Sequence, residues 1–362
     1  MQYQYTAEQQ EFRDSLRRFV SDHYDYERHR QRLTKGEHFD AGLWQQWAEL
    51  GVLGLALNEE YGGLGSGLDD MMAVAEELGR GLVPEPVVPV VAAARLLASV
   101  ASPAQAEALL PSLVGGELRL SLAWEESASR GNPLVLQTRV KDGALYGKKC
   151  AVLGAGEAQQ WLVSARNEQG ELLLLLLTAQ PDGLRRYVMA DGRAAGDILF
   201  DSVPVDDSAV LCRGDAAERA LRQSVSESLL LMAAESLGCI DSLLSVSGEY
   251  LVTRKQFGMP LAAFQALQHR FADMFIAGEK LRSLLWAAFQ QQGREGFHRA
   301  AAQLKVQLAE SGRYVGQQAV QLHGGIGMTD ELNVGAYFKR LTLMELLAGQ
   351  RDDHLAGLAL AS

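Results

Sequence analysis

The chain has 362 residues, of which 48% are hydrophobic and 22% charged, with a formal net charge of −11. These totals fit a globular protein of two or three domains around a sizeable core. The negative charge argues against nucleic acid or an anionic membrane as the main partner, while leaving room for an anionic ligand at a locally basic site.

The first part reads as helices. Thr6 followed by Gln9 fits a capping box, and Phe12, Leu16, Phe19 and Val20 then recur at helical spacing. "HFDAGLWQQWAELGVLGLAL" is a second amphipathic stretch, ended by the glycine loop "NEEYGGLGSG". "DDMMAVAEELGRGL" resumes the helix up to "VPEPVVP", and "SPAQAEALLPSLVGGE" reads as a short helical pair. The opening "MQYQYTAEQQEF" has neither the basic nor the apolar region of a signal peptide, so a cytoplasmic location is expected.

Near Leu118 the period changes. Six short β-type runs follow: "RLSLAW", "LVLQTRV", "ALYGKKCAVL", "QQWLVSAR", "ELLLLLLTA" and "DILFDSVPV". Asp142-Gly143 between two of them is a hairpin signal, and the set suggests a small β-barrel or sandwich. The leucine run is far too short to span a bilayer. Cys150, Cys212 and Cys239 are far apart, with no CxxC and no zinc spacing, so no metal site is expected and the thiols read as buried or incidental.

After Val210 the helical period returns. Four long helices are expected: from "AAERALRQ" to "TRKQF", "ALQHRFADMFIAGEKLRSLLWAAFQQQ", "FHRAAAQLKVQLAESGRYVGQQAVQL" and "VGAYFKRLTLMELLAGQRDDHLAGLAL". The expected fold is therefore an α+β multidomain chain. An N-terminal helical domain covers 1–117, a middle β domain 118–210, and a C-terminal four-helix bundle 211–362.

Two segments carry ligand chemistry. "HGGIG" after a helix is not a Rossmann turn, which needs a preceding strand. It reads as a helix C-terminus with glycine at positive φ, where a ligand can still approach the backbone. In "TRKQFGMPLAAFQALQHRFADM", Arg254 and Lys255 end a helix, Gln256-Phe257-Gly258 turns, Pro260 stiffens the turn, and Phe264-Gln265 opens the next helix. Arg254 either grips a pyrophosphate bidentately or caps the helix C-terminus.

Together, "RKQFGMPLAAFQALQHRFADM", "QAVQLHGGIGMTDE" and "NEEYGGLG" resemble the signature segments of the acyl-CoA dehydrogenases, and the α–β–α order matches that family over essentially the whole chain. The resemblance is nearest to the smaller subunits of heterotetrameric members acting on pimeloyl-CoA or steroid side-chain thioesters. It implies a non-covalent FAD, an acyl-CoA thioester substrate, an electron-transfer flavoprotein as acceptor, and a second dehydrogenase-like subunit as partner. Carried over by position, Arg254, Lys255, Gln256 and Phe257 would contact the pyrophosphate and nearby groups. Phe264 and Gln265 would lie near the adenosine, and Gln321, Leu322, His323, Gly324 and Gly325 would line the adenine-side turn.

The sequence departs from the family where the proton is taken. One family position for the catalytic glutamate falls on Ala348, and the alternative position falls on Ser228. Glu345, about one helical turn before Ala348, and Glu227, about 100° around the helix from Ser228, are the nearest carboxylates. The loop that wraps flavin and substrate reads "WEESASRGN", and the family's Trp-Ile-Ser/Thr segment beside the flavin reads "CAVLGAG". Ala151 cannot stack there and Leu153 cannot donate a hydrogen bond. These departures favour a subunit that completes the FAD site of a partner bearing the glutamate. A self-sufficient enzyme using Glu345, or an acyl-CoA-binding scaffold without turnover, are the alternatives.

Overall fold

The computed structural model describes residues 5–360. Met1–Gln4, part of the stretch read for a signal peptide, lie outside the described residues. In chain order the elements begin with α1 (Ala7–His23), α2 (Tyr26–Lys35), α3 (Ala41–Glu49), α4 (Leu68–Arg80), α5 (Val87–Val100) and α6 (Pro103–Val114). Eight strands follow: β1 (Leu120–Ala123), β2 (Arg139–Lys141), β3 (Ala144–Leu153), β4 (Gln160–Arg166), β5 (Leu172–Leu177), β6 (Gly183–Val188), β7 (Ala194–Pro204) and β8 (Val210–Arg213). The rest is α7 (Gly214–Thr253), a hairpin of β9 (Lys255–Gln256) and β10 (Met259–Pro260), then α8 (Gln265–Phe289), α9 (Phe297–His323), α10 (Val334–Leu346) and α11 (Arg351–Leu360). This is the expected order of helices, sheet and helices.

Compact units do not follow that order. One gathers the described parts of 1–36, 72–83 and 229–362, and the other 37–71 and 84–228. The N-terminal helices are thus shared between the two.

In the first unit, the Thr6–Gln9 capping box starts α1. The end of α4 crosses α7 at two glycines. A Cβ on Gly79 would overlap the carbonyl oxygen of Glu235, and one on Gly238 that of Glu76. Two backbones meet there with no side chain between them. Buried charges surround the crossing. Arg340, fully buried, donates to Glu235 at 2.6 Å and to the carbonyls of Leu82 and Val83, both at 3.2 Å, which fixes α10 against α7. Arg13 reaches Glu76 at 2.6 Å, Arg17 reaches Glu77 at 2.8 Å, and Arg80 and Arg282 share Asp241.

The second unit is built on one mixed sheet. Its hydrogen-bond order is β6-β7-β3-β2-β4-β5-β8, with β1 pairing β4 in parallel. β6 and β8 end the order, so ladders do not close the sheet into a barrel. Leu145, Trp161, Val163, Leu173, Leu175, Ile198 and Phe200 fill its core. Every residue of β5 is buried, which is why its leucines run without alternation. Asp142-Gly143 makes the expected two-residue turn between β2 and β3, with φ of 49° and 72°.

Several elements differ from the sequence reading. Helix α5 went unread because Pro84, Pro86 and Pro89 look like breakers. Pro89 lies in the first turn, where its missing N–H costs no intrahelical bond. The expected short pair is the single helix α6, which carries Pro111 inside it. Strand β6, "GLRRYV", is half-exposed and lacks a clear apolar alternation. The last long helix is two helices, α10 and α11, broken where Ala348 and Gly349 adopt φ of 56° and 86°.

The α4–α7 crossing gives a direct expectation. Gly238→Ala should destabilise the protein by about 3 kcal/mol, because the added methyl must push one helix backbone off the other. Urea unfolding of the two forms measures it. An unchanged midpoint would mean the crossing is not tight.

Candidate functional site

Helix α7 ends at Thr253, and the chain turns at once into the β9–β10 hairpin. Gln256 pairs with Met259 and Lys255 with Pro260, so Phe257-Gly258 is a two-residue turn. Both residues have positive φ, 54° and 83°, the geometry of a type I′ turn. Lys255 and Gln256, expected at a helix end and in a turn, thus form a strand. Phe257 is 88% exposed, and its ring meets Phe264 edge-on at 6.1 Å. Phe264 is the N-cap residue of α8, and Gln265 begins that helix exposed. Arg254 and Lys255 are exposed and make no ion pair among the described residues. Cation, amide and aromatic face are all left open to an anionic, planar ligand.

The glycine turn closes α9. Gly324 has φ 64° and ψ −143°, and a Cβ on Gly324 or Gly325 would meet nothing within 4 Å. A ligand can therefore reach the backbone there. Gln321 is exposed, whereas the side chains of Leu322 and His323 point into the core, at 6% and 4% exposure. Leu322 can therefore offer only its backbone. The His323 Nδ1–H donates to the Ala319 carbonyl at 2.8 Å, which leaves Nε2 an acceptor, and this buried atom has no partner among the described residues. Burial pushes the imidazole below its ordinary value and keeps it neutral. Its ring stacks on Tyr250 at 4.4 Å. The sequence reading missed Tyr250. Its one signal was the spacing of four from Arg254, whose N–H donates to the Tyr250 carbonyl at 2.8 Å.

Ala348 lies in the α10–α11 break, buried, with its carbonyl taking the Nε2–H of His354 at 2.8 Å. Burial, and secondarily the nearby Lys305, hold His354 below its ordinary value against that hydrogen bond. The fully buried Lys305 ammonium caps the end of α10, donating to the carbonyls of Met344 and, at 3.0 Å, Glu345. The Glu345 carboxylate is held by both nitrogens of the Arg313 fork, with Nε at 3.0 Å. That pair lies in a cavity of about 360 Å³ lined also by Ala309, Glu310, Gln350 and Arg351.

Ser228 holds no carboxylate either, and its hydroxyl donates to the Ser224 carbonyl at 2.8 Å. Glu227 is buried and accepts from both sides of the Arg95 fork, at 2.9 and 3.1 Å, and from Gln223 at 2.8 Å. Both nearby carboxylates are therefore engaged by arginine.

In the sheet, Ala151 sits in a bulge of β3 with φ 50°, and its N–H donates to Asp197 at 3.2 Å. Tyr187 and Lys148 reach the same carboxylate at 3.0 and 2.9 Å. The Leu153 carbonyl accepts from Ser121 at 2.8 Å. Beneath the 124–132 loop, Lys149 is fully buried and donates to Trp124 O, Glu126 and Ser164. Burial brings the Lys149 ammonium down to about 8. Burial also pushes the Glu126 carboxyl upward, but Lys149 and the backbone donors outweigh it and leave the carboxyl low. At Ala151 and Leu153 themselves the side chains offer neither an aromatic ring nor a hydroxyl. The arm and turn of the other unit, by contrast, leave a cation, amides and backbone open, as an adenosine and pyrophosphate would require.

The chain matches two family models, "Acyl-CoA dehydrogenase, N-terminal domain" over residues 6–117 and "Acyl-CoA dehydrogenase, C-terminal domain" over residues 219–359. It is 28% identical to the acyl-CoA dehydrogenase FadE12 of Mycobacterium tuberculosis over 94% of this chain and 93% of that one. Among solved structures, a variant of the Tcur3481-Tcur3483 steroid ACAD superposes with a TM-score of 0.86 at 31% identity, covering 97% of this chain and 96% of that one. The ChsE4-ChsE5 complex from Mycobacterium tuberculosis gives 0.89 at 26% identity, covering 100% and 99%. By length and composition α7 could cross a membrane, but 67% of its apolar window is buried inside the protein, as in a core helix.

His323 and His354, both buried, predict an acid limb. Each has a folded value below the ordinary 6.5, so its contribution to stability is complete above that pH and is lost as the pH falls through the folded value. Thermal unfolding midpoints should be flat between about pH 6.5 and 7.5 and decline below about 6.5. A double variant, His323→Phe with His354→Gln, should flatten that decline.

Proposed function

The chain belongs to the acyl-CoA dehydrogenase family, and from that premise we propose that it is the subunit of a heteromeric enzyme that completes an FAD site while its partner supplies the catalytic glutamate. By family it is an oxidoreductase that acts on acyl-CoA with FAD. When bound, FAD supplies the acceptor for the hydride leaving the acyl β-carbon.

One observation carries the proposal. No free carboxylate stands at either position from which the family's base acts. Ala348 and Ser228 hold no acid, and Glu345 and Glu227 are each clasped by an arginine fork. Proton abstraction needs a carboxylate at hydrogen-bond distance from the acyl α-carbon proton, with its lone pairs available. The open side of the chain suits another task. Arg254, Lys255, Gln256 and Phe257 on the arm, Phe264 and Gln265 behind it, and Gln321 to Gly325 at the turn would hold the pyrophosphate and adenosine.

Similarity to two complexes, ChsE4-ChsE5 and the Tcur3481-Tcur3483 steroid ACAD, supports a two-chain assembly and a bulky acyl group of the steroid side-chain kind as substrate. An electron-transfer flavoprotein is the proposed acceptor.

The visible spectrum of the purified chain, alone and co-expressed with a glutamate-bearing homologue, tests this. Little flavin alone, and about one FAD per pair of chains in the mixed assembly, is expected on this half-site arrangement. A full FAD per chain in the protein alone, with turnover, would overturn it. In the active assembly, Glu345→Gln should change kcat by less than about threefold, whereas removing a true general base costs about a hundredfold or more.

A further inference from the structure

Two elements distant in sequence build the adenosine side of the site, and one contact joins them. The arm follows α7, and the glycine turn follows α9. Tyr250, in the last turn of α7, lays its ring on the His323 imidazole at 4.4 Å and 30°, and its hydroxyl donates to the His323 carbonyl at 3.4 Å. From Tyr250 the backbone path to the arm is short. Its carbonyl accepts the Arg254 N–H at 2.8 Å, and the Arg254 carbonyl accepts the Leu261 N–H at 2.8 Å, closing the base of the hairpin. From His323 the path to the turn is shorter still, since Gly324 is the next residue.

We infer that Tyr250 and His323 are positioning residues, whose stack sets the arm bearing Arg254 in register with the Gly324–Gly325 turn. The coupling is a property of this chain alone, and only the identity of the ligand rests on the FAD-completing role proposed above.

Three features favour a positioning role over plain core filling. The hairpin has only two residues in each strand, too few to be stable by itself, so it needs an external anchor. At its tip Phe257 is exposed, with an edge-on approach to Phe264. His323 is held in one tautomer and orientation by its bond to Ala319, which keeps the face that Tyr250 meets in place.

Amide hydrogen exchange across Lys255–Leu261 in the purified chain reads the coupling without any flavin. His323→Ala should raise exchange in the hairpin about fivefold, the effect of losing one aromatic stack, while His323→Phe should restore it. The FAD dissociation constant of the flavin-bearing assembly should follow the same order, weakening about fivefold in His323→Ala and recovering in His323→Phe. Unchanged hairpin exchange in His323→Ala would overturn the inference. So would an alanine and a phenylalanine variant that behave alike, whereas a loosened hairpin with unchanged FAD affinity would overturn the arm's part in holding FAD and leave the coupling standing. If His323→Ala does not fold, Tyr250→Leu removes the same stack from the other side. An FAD count of one per isolated chain would overturn the half-site role and leave the exchange result standing.

Discussion

The first compact unit depends on the contact between α4 and α7. Two glycines let the helix backbones touch, Gly79 against the Glu235 carbonyl and Gly238 against that of Glu76. Backbone contact at that distance leaves no room for adjustment, so each neighbouring side chain is placed by it. Glu76, Glu77 and Glu235 are buried alongside, and isolated buried carboxylates are costly. Burial drives the Glu76 carboxyl upward, with Arg13 and Arg282 opposing. Arginines answer from α1, α8 and α10. Breaking one such pair leaves its partner uncompensated, at about 3–5 kcal/mol. The pairs therefore act less as added stability than as a constraint on which helix lies where. Arg340 is the strongest case. It is fully buried and bonded to α7 and to two carbonyls after α4, and it fixes α10 shortly before the chain breaks at Ala348.

That break puts a left-handed backbone at a residue with no polar side chain. A non-glycine residue at φ 56° costs about 1 kcal/mol or more, and Ala348 has no polar group to gain from it. Lys305 caps the end of α10 and His354 holds the Ala348 carbonyl, so two buried polar groups maintain the kink from either side. The sheet has a parallel case. The β3 bulge at Ala151 is held by Asp197, while the residues in it offer neither ring nor hydroxyl. In both places hydrogen bonds hold a left-handed backbone at an alanine, which has no polar side chain to use it.

Much of this was legible in the sequence, and the exceptions have physical reasons. Short-range signals were readable. Thr6 with Gln9 gave a cap, Asp142-Gly143 gave a turn, and the apolar period gave α7, α8 and α9. Phe257-Gly258 was not read as a hairpin because phenylalanine rarely takes positive φ, and the prolines around α5 hid a helix whose first turn tolerates them. Ala348 sits among good helix formers, so only Gly349 marked the break. The arm and glycine turn could be singled out in the sequence because each is a compact motif. What joins them could not, because Tyr250 and His323 meet across two intervening elements. Lys149 and Glu126 were hidden likewise, since nothing in a strand pattern marks a lysine as fully buried.

The distribution of charge separates two kinds of site. A proton-taking site needs a carboxylate whose lone pairs are free; an anion-holding site needs a cation whose donors are free. In this chain the carboxylates nearest the two base positions have their oxygens engaged, Glu345 by Arg313 and Glu227 by Arg95 and Gln223. The cations of the arm stand in the opposite condition, with Arg254 and Lys255 exposed and outside any ion pair among the described residues. An arginine fork on a carboxylate satisfies two acceptors in one plane, and freeing those acceptors for chemistry would leave the guanidinium without its partner. A guanidinium in water loses little hydration on meeting a pyrophosphate and gains two charge-assisted bonds. The energetic gradient thus runs toward binding an anion at the arm and away from basicity at the kink. A chain with that asymmetry suits one half of a shared site better than the whole of one.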